Sequence, residues 1–189
     1  QRGGEVSPAG VAGGDQHVPR STGQDLRQCC GVLGIVKQQQ PPVPLPQRAE
    51  HIHRAVAAYK QAIELDPEYP DAHLNLGLTY ADHGRVEEAI AELQTAIELD
   101  PADAFPRHEL AALLMDEGDY RGAIAQLKEV VRLEPEDFEA HLDLGICYAQ
   151  KGFYAEAERA YQKARALNAD DLLLHYNLAA LYALWGKKP

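Results

Sequence analysis

The chain has 189 residues and a formal net charge of −11, enough for one domain of ordinary size or a short array of repeats. Hydrophobic residues make up 46% and charged residues 25%, a globular profile whose longest nearly apolar run, Leu178 to Trp185, is far short of the ~20 residues of a membrane span. An acidic surface repels phosphate backbones, which speaks against nucleic acid as a partner.

Residues 1–47 hold eight Gly and six Pro and end in "QQQPPVPLPQ". Such a stretch favours extended, solvated backbone, so a disordered or loosely docked leader is expected there. Within it, Asp25 to Lys37 carries Leu26, Val32, Leu33, Ile35 and Val36 at spacings that suit a short helix, weakened by Gly31 and Gly34. No basic region followed by an apolar stretch and a small-residue cleavage site stands near the N-terminus. The chain opens on Gln1 and its one methionine is Met115, as expected of a fragment or a processed form. Three cysteines, two of them the adjacent Cys29 and Cys30, make neither a disulfide framework nor a zinc spacing. A reducing, cytoplasmic compartment is expected.

From about Arg48 the pattern changes to helix formers with apolar residues at helical spacing. The remainder of the chain, 48–189, carries 14 basic and 26 acidic groups. "DAHLNLGLTYADHG" from Asp71 returns 34 residues later as "FPRHELAALLMDEG" from Phe105, then as "EAHLDLGICYAQKG" from Glu139 and "LLHYNLAALYALWG" from Leu173. The second half of each period repeats too, from Ala55, Ala89, Ala123 and Ala157. The period predicts a lone second helix over 50–66, full helix pairs over 70–103, 104–137 and 138–171, and a final first helix over 172–186.

Each recurring residue has a physical reason. Gly77, Ala111, Gly145 and Ala179 are small where a partner helix must approach, and Ala89, Ala123 and Ala157 face them. Gly84, Gly118, Gly152 and Gly186 stand where a left-handed residue ends the first helix. Pro67, Pro101 and Pro135 stop the second. Asp103, Asp137 and Asp171 read as N-caps. Ala169 replaces the proline once, which predicts a looser turn. The last helix is apolar on nearly every face, which predicts burial, a continuing chain, or self-association through 172–186.

Leu76-Gly77, Tyr80, Gly84, Ala89, Ala96 and Pro101, with Leu144-Gly145, Tyr148, Gly152, Ala157 and Ala164, resemble the tetratricopeptide repeat family from about Glu50 to Gly186. The resemblance implies an all-α, right-handed solenoid of antiparallel helix pairs. It also implies a concave groove, lined by the first helices, that receives a peptide. Carried over by position, that groove comprises Asp71, Leu74, Asn75, Leu78 and Asp82, then Phe105, His108, Glu109, Ala112 and Asp116. It continues with Glu139, Leu142, Asp143, Ile146 and Gln150, then Leu173, Tyr176, Asn177 and Ala180. None of these is Lys or Arg, so the basic clamp that one family branch uses on chaperone carboxylates is missing. An apolar or basic peptide is the expected ligand. Leu74, Leu78, Phe105, Leu142, Ile146 and Tyr176 would be its apolar anchors, Asn75 and Asn177 would bond its backbone, and Glu109 and Asp143 would accept from its N–H groups.

No catalytic, cofactor or metal site is expected. His108-Glu109-Leu110-Ala111-Ala112 begins like a zinc-protease motif and ends in Ala where the second His belongs. His73, His141 and His175 recur at one repeat position, with Arg107 in the remaining slot. Helix-packing distances keep them too far apart to share a metal ion, so they read as packing residues. The resulting expectation is a protein-interaction scaffold without catalysis. The alternatives are a targeting arm of a larger enzyme, such as a glycosyltransferase, or a self-assembling module.

Overall fold

The computed structural model describes residues 45–186; the proposed leader up to 44 and its Asp25–Lys37 segment lie outside the described residues. The described chain forms eight helices and no strand. They are α1 (Leu45–Leu65), α2 (Pro70–Ala81), α3 (Val86–Leu99), α4 (Phe105–Asp116), α5 (Tyr120–Leu133), α6 (Phe138–Gln150), α7 (Tyr154–Leu167) and α8 (Leu172–Trp185). Each helix packs on the next in chain order, and the first helices also touch along the array, α2 to α4 and α6 to α8. One pair cannot bury its own apolar face, so the pairs stack into a solenoid. The first helix starts at Leu45, inside the proline-rich stretch, and includes Pro46. A proline in the first turn costs little, because an N–H there has no helical acceptor.

The helix ends are set locally. Gly84, Gly118, Gly152 and Gly186 adopt φ of +69°, +78°, +77° and +70°, where a side chain is strained. Beyond two of them the chain closes on the helix: the amides of Arg85 and Phe153 donate to the carbonyls of Tyr80 and Tyr148, each at 2.9 Å. Asp137 and Asp171 accept from the amides of Ala140 at 3.0 Å and Leu174 at 2.8 Å, as N-caps. Asp103 stands one residue outside its helix and accepts from Phe105 at 3.1 Å instead. Asp119, which the repeat pattern does not flag, caps α5 through the amide of Gly122 at 3.0 Å. The Ala169 turn is the looser one. Asn168 still donates to Ala164 at 2.9 Å, but the closing bonds of the proline turns, Tyr69 to Asp66 at 3.3 Å, Asp103 to Asp100 at 3.3 Å and Asp137 to Glu134 at 3.2 Å, have no counterpart from Asp171 to Asn168.

Close approach explains the small residues. A Cβ on Gly77 would lie 3.0 Å from Leu93 Cγ and 3.2 Å from the Ala89 carbonyl, and one on Gly145 would lie 2.3 Å from the Tyr161 ring. Around these contacts the core runs through Leu76, Leu93, Leu110, Leu127, Tyr161, Leu174 and Leu181, all at 2% exposure or less. Burying one such leucine stabilises by roughly 1.5–3 kcal/mol. The final helix departs from its expected burial. Leu174, Leu178 and Leu181 are buried, whereas Leu172, Leu173, Tyr176 and Leu184 are exposed at 84, 52, 71 and 68%.

Candidate peptide-binding face

The spacing of Asp71, Asn75, Leu78 and Asp82 places them on one side of α2, and the same register recurs on α4, α6 and α8. The structure divides the expected groove residues into three groups. Asp82, Asp116, Glu139, Gln150, Leu173, Tyr176 and Ala180 are exposed. Asp71, Asn75, Leu78, Phe105, His108, Glu109, Ala112, Asp143, Ile146 and Asn177 are half-buried. Leu74 and Leu142 are buried, at 8% and 6% exposure, and this corrects their assignment as peptide anchors. Leu74 packs with Leu93, Ala96 and Leu110, and Leu142 with Tyr161, Ala164 and Leu174. Their own second helix and the next first helix cover each of them, so they hold repeats together and offer no surface to a ligand.

The polar groups are also partly committed. Asn75 Nδ2 donates to the Asp71 carbonyl at 2.7 Å, which leaves its Oδ1 for a ligand. Asn177 Nδ2 is buried without a hydrogen-bond partner. Asp143 Oδ2 lies 3.4 Å from His108 Nε2, bridging α4 and α6, with the two side chains 24% and 17% exposed. The contact is electrostatic, since Nε2 has no aligned hydrogen-bond acceptor. Burial works against a charge on His108, but the Asp143 carboxylate, with Asp137 and Glu109 beyond it, more than offsets that and raises its pKa above the ordinary value. Beneath the pair, burial first and Asp143 second push the Cys147 thiol up to about 12. Burial likewise raises the Tyr161 phenol, helped by Cys147 and Asp143. Asp143 is therefore the charged hub of this face, and its role as a free acceptor narrows to the oxygen turned away from His108. Repeat arithmetic contained the signal: positions 108 and 143 are one period plus one residue apart.

The recurring histidines pin turns. Nε2 of His141 donates to the Pro135 carbonyl at 2.9 Å, and Nε2 of His175 to the Ala169 carbonyl at 2.8 Å. His73 Nε2 lies 3.3 Å from the Pro67 carbonyl, and its Nδ1 lies 2.8 Å from Glu92 Oε2. In each case the ring ties a first helix to the turn six residues earlier. In the second pair, the slots of His73 and Glu92 hold Arg107 and Gln126, whose Nε and Oε1 are buried without hydrogen-bond partners. Among the described residues, no three His, Cys, Asp or Glu side chains gather closely enough to hold a metal ion. No helix among them is long and apolar enough to cross a membrane.

The helix pairs, the 34-residue period and the glycine turns agree with an independent comparison: a family model described as tetratricopeptide repeat matches residues 47–104 and 108–171. The chain belongs to the tetratricopeptide repeat family. Solved structures agree with the fold of this TPR array. A crystal structure of MamA is 25% identical over 74% of this chain and 82% of its own, with a TM-score of 0.68. MamA 41-end from Desulfovibrio magneticus RS-1 is 21% identical over 74% and 79%, also at 0.68. YrrB, described as a TPR protein with an unusual peptide-binding site, is 24% identical over 76% and 74%, with a TM-score of 0.67. No curated protein matches the chain.

Proposed function

We propose that this TPR array is a non-catalytic interaction scaffold that takes an apolar or basic peptide segment along the face of α2, α4, α6 and α8. A row of carboxylates carries this reading. Asp82, Asp116 and Glu139 are exposed there and Asp71 is half-buried, with no Lys or Arg among the positions of the face. Such a row attracts cationic segments and repels acidic tails. Phe105, Leu78 and Ile146 supply half-buried apolar contact, and Leu173 and Tyr176 supply exposed contact. The peptide-binding site described for YrrB, a protein of the same fold, supports the class of ligand. The same face would serve a targeting arm of a larger enzyme. Its ladder alternates as Asn75, Glu109, Asp143 and Asn177, and the tie between Asp143 and His108 favours the plain scaffold over an asparagine-ladder arm. A cytoplasmic setting belongs to the same proposal, since Cys147 is buried and free.

Fluorescence anisotropy with two labelled peptides of one apolar skeleton, carrying either lysines or glutamates, tests this directly. The lysine peptide binds more tightly, and its advantage shrinks as salt screens the face. Glu139→Lys and Asp116→Lys each weaken it by about two- to five-fold, the range of a single exposed charge contact. Tighter binding of the glutamate peptide to the unaltered chain would overturn the proposal.

A further inference from the structure

The two ends of the array are complementary halves of one repeat. Helix α8 has first-helix grammar, in Leu178-Ala179, Tyr182 and Gly186, and among the described residues it packs only on α7 and α6. Helix α1 has second-helix grammar, in Ala55, Tyr59, Ala62 and Pro67, and it packs on α2.

Burial shows what each end lacks. The second-helix row is sealed in every later pair: Ala89, Leu93 and Ala96 at 0%, Ala123, Leu127 and Val130 at 0%, and Ala157, Tyr161 and Ala164 at 2% or less. Its counterpart in α1, Ala55, Tyr59 and Ala62, is only half-buried. The small first-helix slot is buried at Gly77, Ala111 and Gly145 and exposed at Ala179. Among the described residues, no first helix covers the one row and no second helix covers the other slot.

Charge sorts the same way. Residues 66–171 carry nine basic against 24 acidic groups, while 45–65 carry three basic against two acidic, and 172–189 carry two basic and none acidic. Two copies meeting side by side would oppose flanks of net −15 each; meeting end to end, they oppose segments of net +1 and +2, a far smaller repulsion.

We propose that copies of this chain associate head to tail, with α1 of one copy seated on α8 of another to complete a fourth helix pair across the interface. The geometry continues the interface already made inside the chain. There, Gly77 faces Leu93 and Ala89; in the same register Ala179 faces Tyr59 and Ala55 of the second copy. Ala111, at 0% exposure, shows that the slot accepts a methyl group. The two surfaces in such a contact differ, so each copy keeps one end open and growth does not stop at a dimer.

Light scattering on the whole chain, from micromolar to submillimolar concentration, tests the proposal. The mass rises past that of a dimer. Ala179→Arg on α8 and Ala55→Arg on α1 each hold the chain as a monomer, and circular dichroism shows helix content retained. An equal mixture of the two variants forms a one-to-one dimer and nothing larger, because each supplies the end the other lacks. If Ala55→Arg unfolds, Ala62→Lys replaces it. Three results overturn the proposal: a monomer at every concentration, a mixture of folded variants that stays monomeric, or association that Ala179→Arg removes while Ala55→Arg leaves intact. The last would mean that α8 pairs with α8.

Discussion

The third helix pair and the final helix are written in nearly the same grammar, and they do not have the same fate. Leu142 in α6 is 6% exposed, and Tyr176, one period on in α8, is 71% exposed. Gly145 lies against the Tyr161 ring, and Ala179 in the same slot is exposed. The residues at these positions are all apolar or small, so composition does not separate them. Possession of the next neighbour does. In a repeat protein, burial belongs to the interface between units and only secondarily to the residue.

Substitutions at covered and open positions break or sharpen that contrast. Tyr161→Ala removes a ring sealed between α6 and α8 and costs about 3–5 kcal/mol, whereas Tyr176→Ala stays within about 0.5 kcal/mol at low protein concentration; urea denaturation of both variants checks this. Equal costs would mean that α8 has an unseen cover. Gly145→Ala drives a methyl group to 2.3 Å from the Tyr161 ring, and the repacking costs about 1–3 kcal/mol. Its mirror image, Ala179→Gly, carries only the intrinsic penalty of glycine in a helix, ~1 kcal/mol, and thermal melts compare the two. The caps come next: Asp137→Ala and Asp171→Ala each remove one N-terminal acceptor and lower stability by about 1 kcal/mol. If the last helix frays from its open side, Asp171→Ala shows the smaller change in global melting and the larger change in local amide exchange.

The smallest effect is pH-dependent. His108 has a folded pKa raised above its ordinary value by Asp143. Its contribution is therefore fully present below the unfolded value of about 6.5 and is lost as pH rises through the raised value. Melting temperature measured across that window falls for the unaltered chain relative to His108→Gln, and the difference vanishes at higher pH. A window below the unfolded value would reverse the assignment.

Much of the fold was legible in the sequence because its causes are local. A glycine at φ near +70°, a proline after the second helix and an aspartate before the first act within a few residues, so the 34-residue period exposes them directly. Asp103 strayed by one position, whereas the turn at Ala169, without its proline, lacks the closing backbone bond that the other turns keep. The candidate face was legible only in part. Carrying positions over from the family placed Asp82, Asp116, Glu139 and Tyr176 on the surface, yet it also offered Leu74 and Leu142, which their own second helix and the next first helix cover. The tie between His108 and Asp143 joins two repeats, and Asp143 reaches Cys147 and Tyr161 beneath it. Such cross-repeat couplings come from stacking and do not appear within any one copy.

Charge reversal on the face is the most direct test of the central claim that the acidic row on the first helices selects the ligand. The lysine and glutamate peptides are titrated in parallel against the unaltered chain and against a variant carrying both Asp116→Lys and Glu139→Lys. The account predicts that the unaltered chain prefers the lysine peptide and that the variant loses or inverts that preference while its melting temperature stays put. An unchanged preference in a folded variant would contradict it and move the binding surface away from the first helices.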